Sequence, residues 1–162
     1  RAFLLFAKIL SATILAVLQA YVFLGLAALV GYYTTLSGMI WILPAMLLSG
    51  MMLGSIGLLI TVYTRQIENF AGMMNFVIFP MFFMSSALYP LWKLEESGAW
   101  LLHSIARLNP FTHAVELIRF AAYGQLNLVG LVVVVGVSLL AFALAVRGYD
   151  PNRGVIRFIK RG

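Results

Sequence analysis

Hydrophobic and polar positions divide the chain into long apolar runs with short polar interruptions. No charged residue occurs between Lys8 and Arg65. A helix rises about 1.5 Å per residue and about 20 residues cross the hydrocarbon of a bilayer, so this run is too long for one span. Inside it, Gly31-Tyr-Tyr-Thr-Thr-Leu-Ser-Gly38 is polar and bounded by glycine. The pattern predicts a first span over about 9–30 and a second over about 40–63. Tyr32, Tyr33 and Trp41 fall at the break, where amphipathic rings favour the headgroup layer. Pro44 stands near the start of the second span, where a missing N–H costs little. After the polar stretch Thr64–Asn69, a third span is predicted over about 70–88, ending at Tyr89-Pro90. Residues 91–125 are too polar and too interrupted to cross; a fourth span follows over about 126–146, then a tail, 147–162. The expected fold class is therefore all-α integral membrane. It has four transmembrane helices in a single domain, with an outer re-entrant helical hairpin between the third and fourth.

Composition agrees. The chain of 162 residues is 63% hydrophobic and 10% charged, with a mean hydropathy of +1.01. Water-soluble domains carry about 25% charged residues, and a small domain keeps too much surface exposed to hide this many apolar side chains. A bilayer removes the difficulty by acting as the apolar solvent. There is no cysteine, which excludes disulfides and thiolate metal sites.

Charge then orients the spans. Arg1, Lys8, Arg65, Arg147, Arg153, Arg157, Lys160 and Arg161 fall on one side of the four-span arrangement, and Lys93, Arg107 and Arg119 on the other. The richer side is expected in the cytoplasm, together with both ends of the chain. The net charge of +6 is thereby explained by membrane orientation, and no nucleic-acid partner is expected.

The candidate chemistry is sparse. No Asp, Glu, Lys, Arg or His lies in a predicted span, which argues against a proton pump or ion-coupled carrier built from this chain alone. No phosphate-binding G-x-x-x-x-G-K-[ST] loop occurs. His113 and Glu116 are spaced i, i+3 and form at most a weak metal half-site, against the ordinary reading of a hydrogen-bonded interfacial histidine. Gln19 is expected to bond a neighbouring helix. Ser49-Gly50-Met-Met-Leu-Gly54-Ser55 offers a small-residue face, read either as a dimer seam or as packing within the subunit. Asn75, Phe79, Phe82 and Ser86 follow one helical face of the third span and are candidates for lining a pathway, with ordinary helix packing as the alternative.

Residues 91–125 carry the densest signals. Leu101, Ile105 and Leu108 make one apolar helical face, while His103, Ser104 and Arg107 fall away from it, with Trp100 as an interface anchor. Asn109-Pro110 then restarts a helix, with Asn as N-cap and Pro at its first position. Two short helices there suggest a re-entrant hairpin, the alternative being two helices lying flat on the surface. Glu116 and Arg119, at i, i+3, can pair on one face of the second helix.

Phe79-Pro80, Met84-Ser85-Ser86-Ala87-Leu88-Tyr89-Pro90, Arg107-Leu108-Asn109-Pro110-Phe111-Thr112, Glu116-Leu117-Ile118-Arg119 and Tyr123-Gly124 follow in that order. Together they resemble the C-terminal signature of the type 2 ABC transporter permeases, with Ser86 where that family usually has glycine. The resemblance implies the last four spans of a six-span exporter permease, with Arg1–Lys8 as the end of a cytoplasmic coupling segment. It further implies a second permease subunit and a separate ATP-binding cassette subunit that carries ATP and Mg, so that this chain itself binds no cofactor and holds no catalytic residue. Arg1, Lys8, Arg65 and Glu68 become candidates for coupling to that subunit, and Asn109, Pro110, Glu116 and Arg119 for an outer gate. The alternatives are a non-transporting membrane scaffold or accessory subunit, and an interfacial membrane enzyme using His113 and Glu116.

Overall fold

The computed structural model describes residues 2–31, 35–64, 67–96, 98 and 100–149. All their regular structure is helical, in seven helices: α1 (Ala2–Leu29), α2 (Leu36–Tyr63), α3 (Ile67–Phe83), α4 (Leu91–Glu96), α5 (Trp100–Leu108), α6 (Pro110–Ala122) and α7 (Leu128–Gly148). The fold is that of an all-α integral membrane protein. Three helices, α1, α2 and α7, are long and apolar enough to cross a bilayer.

The third expected span is shorter than its hydropathy suggests. Helix α3 ends at Phe83, not Leu88, and its 17 residues rise about 25 Å, against about 30 Å of hydrocarbon. Pro80 lies in its last turn and brings no N–H for the Phe76 carbonyl. Helix α2 opens earlier than expected, at Leu36, because the Thr35 hydroxyl accepts from the Gly38 N–H at 3.2 Å. Pro44 is consequently interior to α2 rather than in its first turn.

Helix α2 is the spine. Helix α1 packs against it along Leu5, Ile9, Thr13 and Val17, a stripe repeating every four residues. Two α2 glycines receive that stripe. A Cβ on Gly50 would come within 2.7 Å of the Thr13 methyl, and one on Gly54 within 2.8 Å of an Ile9 methyl. The small-residue face thus packs inside the chain, against α1. Further along, the Tyr21 hydroxyl donates to the Met39 carbonyl at 2.6 Å. Gln19, expected to bond a neighbour, is instead exposed. It lies two residues past Val17, about 200° around the helix from the buried stripe.

On its other side α2 meets α6 and α7. The shared core is Ile42, Ala45 and Met52 from α2, Ala114, Leu117 and Ala121 from α6, and Val134 from α7. Gly148 of α7 abuts Val62 and Tyr63 at the far end of α2, so these two helices run parallel. Helix α6 runs the opposite way: its end, Ala122, meets Gly38, while Ala114 lies beside Ser49. Those two contacts lie eleven residues apart on α2, about 16 Å, so α6 lies along the upper half of the spine.

Candidate functional site

The site begins where α3 stops. Pro80 already withholds one N–H from the helix, and the last bonds after it change type. The Met84 N–H reaches the Pro80 carbonyl at 2.9 Å, but the Ser85 N–H turns to the Phe82 carbonyl at 3.2 Å. The Ser85 hydroxyl donates to the same carbonyl at 2.6 Å and accepts from the Ala87 N–H at 3.1 Å. The Met81 carbonyl has therefore lost its helical donor. A helix end inside an apolar medium must find other partners, because no water is there to supply them.

Asn109, at the start of α6, provides the replacement. Its side-chain N–H donates to the Met81 carbonyl at 2.6 Å and approaches the Met84 carbonyl at 3.4 Å. Its side-chain oxygen accepts from the Phe111 N–H at 3.0 Å, capping α6. One carboxamide thus closes the end of α3 and the start of α6 together. Next to it, the Ser86 N–H donates to the Thr112 hydroxyl at 3.2 Å, and the Ser86 hydroxyl approaches the Thr112 carbonyl at 3.5 Å. Both residues are fully buried. Each of these contacts runs through a side-chain hydroxyl, one from Thr112 and one from Ser86.

Arg119 completes the network. It donates to the Glu116 carboxylate at 2.7 Å and to the Ser86 carbonyl at 2.9 Å. Their side chains are 33% and 12% exposed, so the pair sits at a boundary rather than in open water. Among the described residues no buried side-chain polar atom lacks a partner. The break is a closed polar knot of Ser85, Ser86, Asn109, Thr112, Glu116 and Arg119.

Beyond the knot, α4, α5, α6 and the α6–α7 turn enclose an open cavity of about 550 Å³. Arg107, His113, Glu116 and Arg119 line it together with Trp92 and Tyr123. The His113 ring lies 2.9 Å from the Arg107 carbonyl through Nε2. A carbonyl only accepts, so Nε2 carries the proton and the α5–α6 corner is fastened. His113 and Glu116 therefore each already hold a protein partner. A smaller, apolar slot of about 190 Å³ lies on the opposite face of α6, between Trp41, Leu48, Leu117 and Leu131, and Gln125 borders both spaces.

Other sequence-derived candidates fall apart spatially. Asn75, Phe79 and Phe82 are exposed on α3, whereas Ser86 lies past the end of the helix, buried in the knot. Phe82 meets the ring of Phe111 edge to face, with centroids 6.0 Å apart. Lys8 is exposed on α1, and Glu68 is in the first turn of α3. Arg1, Arg65 and the side chain of Glu68 lie outside the described residues. Asn109 caps α6 with Pro110 at its start, as the dipeptide predicts. The single helix expected before them is divided into α4 and α5 at Gly98, whose φ is +71°. Leu101 and Leu108, read as an apolar face, are exposed, and Ala106 is the buried residue of α5. Sequence reasoning passed over Ser85 and Thr112 as site residues. Thr112 could have been found from its place three residues after the Asn109 cap, where it faces the cap's other contacts.

The family described as ABC-2 type transporter matches residues 1–123, which contain the whole knot. Nodulation protein J of Rhizobium leguminosarum bv. viciae is 30% identical over 99 residues, covering 61% of this chain and 36% of that protein. Nodulation protein J of Rhizobium leguminosarum bv. trifolii is 31% identical over 93 residues, covering 57% and 34%. That of Rhizobium meliloti (strain 1021) is 29% identical over 96 residues, covering 59% and 35%. The matched stretch spans about a third of the length of these curated relatives. No solved structure matches the chain.

Proposed function

The chain belongs to the ABC-2 type transporter family, and on that premise we propose that it is part of the permease of an ATP-driven exporter. As a family member it is a membrane transport subunit. The finer reading is that it forms the substrate pathway with a second permease subunit, while an ATP-binding cassette subunit hydrolyses ATP with Mg. Both ends of the chain and the α2–α3 connection then face the cytoplasm, in the inner membrane. The α4–α6 segment faces outward as a re-entrant hairpin.

The observation that carries this reading is the knot. Helix α3 starts at the end of the molecule where α2 finishes, with Thr64 against Met73 and Gly57 near Met74. It ends part-way up, fastened through Asn109 to α6. A displacement applied at Arg65 or Glu68 by a partner would pass along α3 and through Asn109 into α6 and the outer cavity. Asn75, Phe79 and Phe82, exposed on α3, would face the pathway, and Glu116 and Arg119 would seat the gate.

The test is co-expression with candidate ATP-binding subunits, followed by co-purification and reconstitution into vesicles. The permease reading expects a stable complex and ATPase activity that responds to Arg65→Glu. A scaffold would show neither transport nor a change in ATPase activity. An interfacial enzyme would turn over without the partner.

A further inference from the structure

The two spaces on either side of α6 have complementary chemistry. The larger cavity holds two guanidinium groups, and they are not equivalent. Arg119 is paired with Glu116 and bonded to the Ser86 carbonyl. Arg107, in the last turn of α5, is exposed and has no acidic partner among the described residues. Glu95 and Glu96 are exposed on α4 and are not part of the cavity wall. One uncompensated, permanent positive charge therefore faces the cavity, beside the Trp92 and Tyr123 rings. The smaller slot, bounded by Trp41, Leu48, Leu117 and Leu131, presents almost no polar surface. Gln125 borders both, at the turn that follows α6.

A cation in an open cavity next to an apolar slot matches a molecule with an anionic head and an alkyl tail. We propose that this pair of spaces binds an anionic amphiphile. Its headgroup lies against Arg107 in the larger cavity, and its chain passes Gln125 into the slot against Trp41. Arg107 is the charge that selects the head. Arg119 is already committed to the knot and keeps the wall in place. The exposed apolar residues Leu101 and Leu108 on α5 are consistent with a lipid-facing mouth. The occupant can be a membrane lipid or the transported molecule, since the two share this chemistry. The inference goes beyond the permease reading, because binding requires neither ATP nor a partner subunit.

The experiment uses the intact protein in phosphatidylcholine vesicles, with Trp92→Phe and Trp100→Phe leaving Trp41 as the reporter in this chain. Brominated phosphatidylglycerol or brominated phosphatidylcholine is added at low mole fraction and Trp41 quenching is followed. The brominated anionic lipid is expected to quench more than the neutral one, with saturation. Arg107→Gln should weaken that excess about fivefold, the effect of one base near a membrane surface. Arg107→Lys should retain most of it, and Lys93→Gln, outside the cavity, should leave it unchanged. Equal quenching by the two lipids, or an unchanged excess in Arg107→Gln, would overturn the proposal. Competition by inorganic phosphate at the same headgroup concentration would also overturn it, showing a bare-anion site. Adding ATP and the partner separates the two sources: a transported lipid loses the excess on turnover, and a resident lipid keeps it. Since the binding arm runs without ATP, its failure leaves the permease reading untouched, and failure of transport leaves the binding result standing.

Discussion

Helix α2 is flanked by two contacts built on opposite principles. Toward α1 it presents glycine to methyl groups: Gly50 to Thr13 and Gly54 to Ile9. That seam is dry, short-range and held by dispersion, the usual means of association where lipid competes equally for apolar side chains. On the opposite flank, α3 and α6 are joined by directional bonds through Ser86, Asn109, Thr112 and Arg119. A dry seam can slip by small steps, because each atomic contact is worth only about 0.1–0.2 kcal/mol. A hydrogen-bonded knot cannot, because every intermediate position leaves a buried backbone group unpartnered. The first contact suits holding a bundle together; the second suits passing a displacement from one helix to another.

The largest expected effect comes from cutting the knot at its centre. Asn109→Ala removes the bonds to Met81, Met84 and Phe111 at once. At about 1 kcal/mol or more per bond, a loss of about 2–4 kcal/mol is expected. It would be read as a lower unfolding temperature and reduced folded yield in detergent. Asn109→Asp keeps the cap acceptor but not the donor, and places a carboxylate beside two carbonyls. It should be no better tolerated, which would locate the effect in the α3 bonds rather than in the cap.

Intermediate effects test the dry seam. Gly54→Ala brings a methyl against Ile9 and should cost about 1–3 kcal/mol by overpacking. The clash is with the end of a side chain, so Ile9→Ala should recover most of the loss in the double variant. Knot substitutions should show no such rescue by shrinking a neighbour. If Asn109→Ala were rescued by Met81→Ala, which leaves the backbone carbonyl in place, the hydrogen-bond explanation would fail.

Effects no larger than these are expected at the edge of the knot. Arg119→Ala leaves the Glu116 carboxylate, 12% exposed, without its counter-charge, at a cost of about 1–3 kcal/mol given partial solvation. Removing both charges should be milder than the two single losses added together. On the permease reading, export measured at equal expression should fall more in Arg119→Ala than in Lys93→Ala, since Lys93 is exposed on α4. Comparable export in the two would reduce the pair to solvated surface. If residues 91–125 face outward as proposed, a cysteine in place of Glu95 should react with an impermeant thiol reagent from outside only. The native chain has no cysteine to confuse the result.

Much of this was legible in the sequence because local chemistry determines it. The polar break between Gly31 and Gly38 separates α1 from α2, and Asn109-Pro110 starts α6. Glu116 and Arg119 pair at their i, i+3 spacing. What escaped depends on contacts distant in the chain. The hydropathy of residues 84–88 does not show where the helix stops, and the donation from Asn109, 28 positions away from Met81, helps to make stopping at Phe83 inexpensive. Ser86 shares a helical face with Phe79 only if the helix continues, so the early stop moved it from that face into the knot. Gln19 was read from its polarity alone, and polarity does not report which way a helix is rotated. The division of α4 from α5 has a local signal in the sequence, Gly98 after Ser97.

The most direct test of the rigid link is a distance between spin labels on α3 and at the end of α6. Phe76 and Tyr123 are 80% and 77% exposed, so labels attached at cysteines there should disturb little. In a complex with the proposed ATP-binding subunit, the distance distribution should be narrow and the same without nucleotide and with trapped ATP. In Asn109→Ala it should broaden. A shift of about 5.4 Å, one helical turn, between the two nucleotide states of the native protein would contradict the link, as would an Asn109→Ala distribution as narrow as the native one.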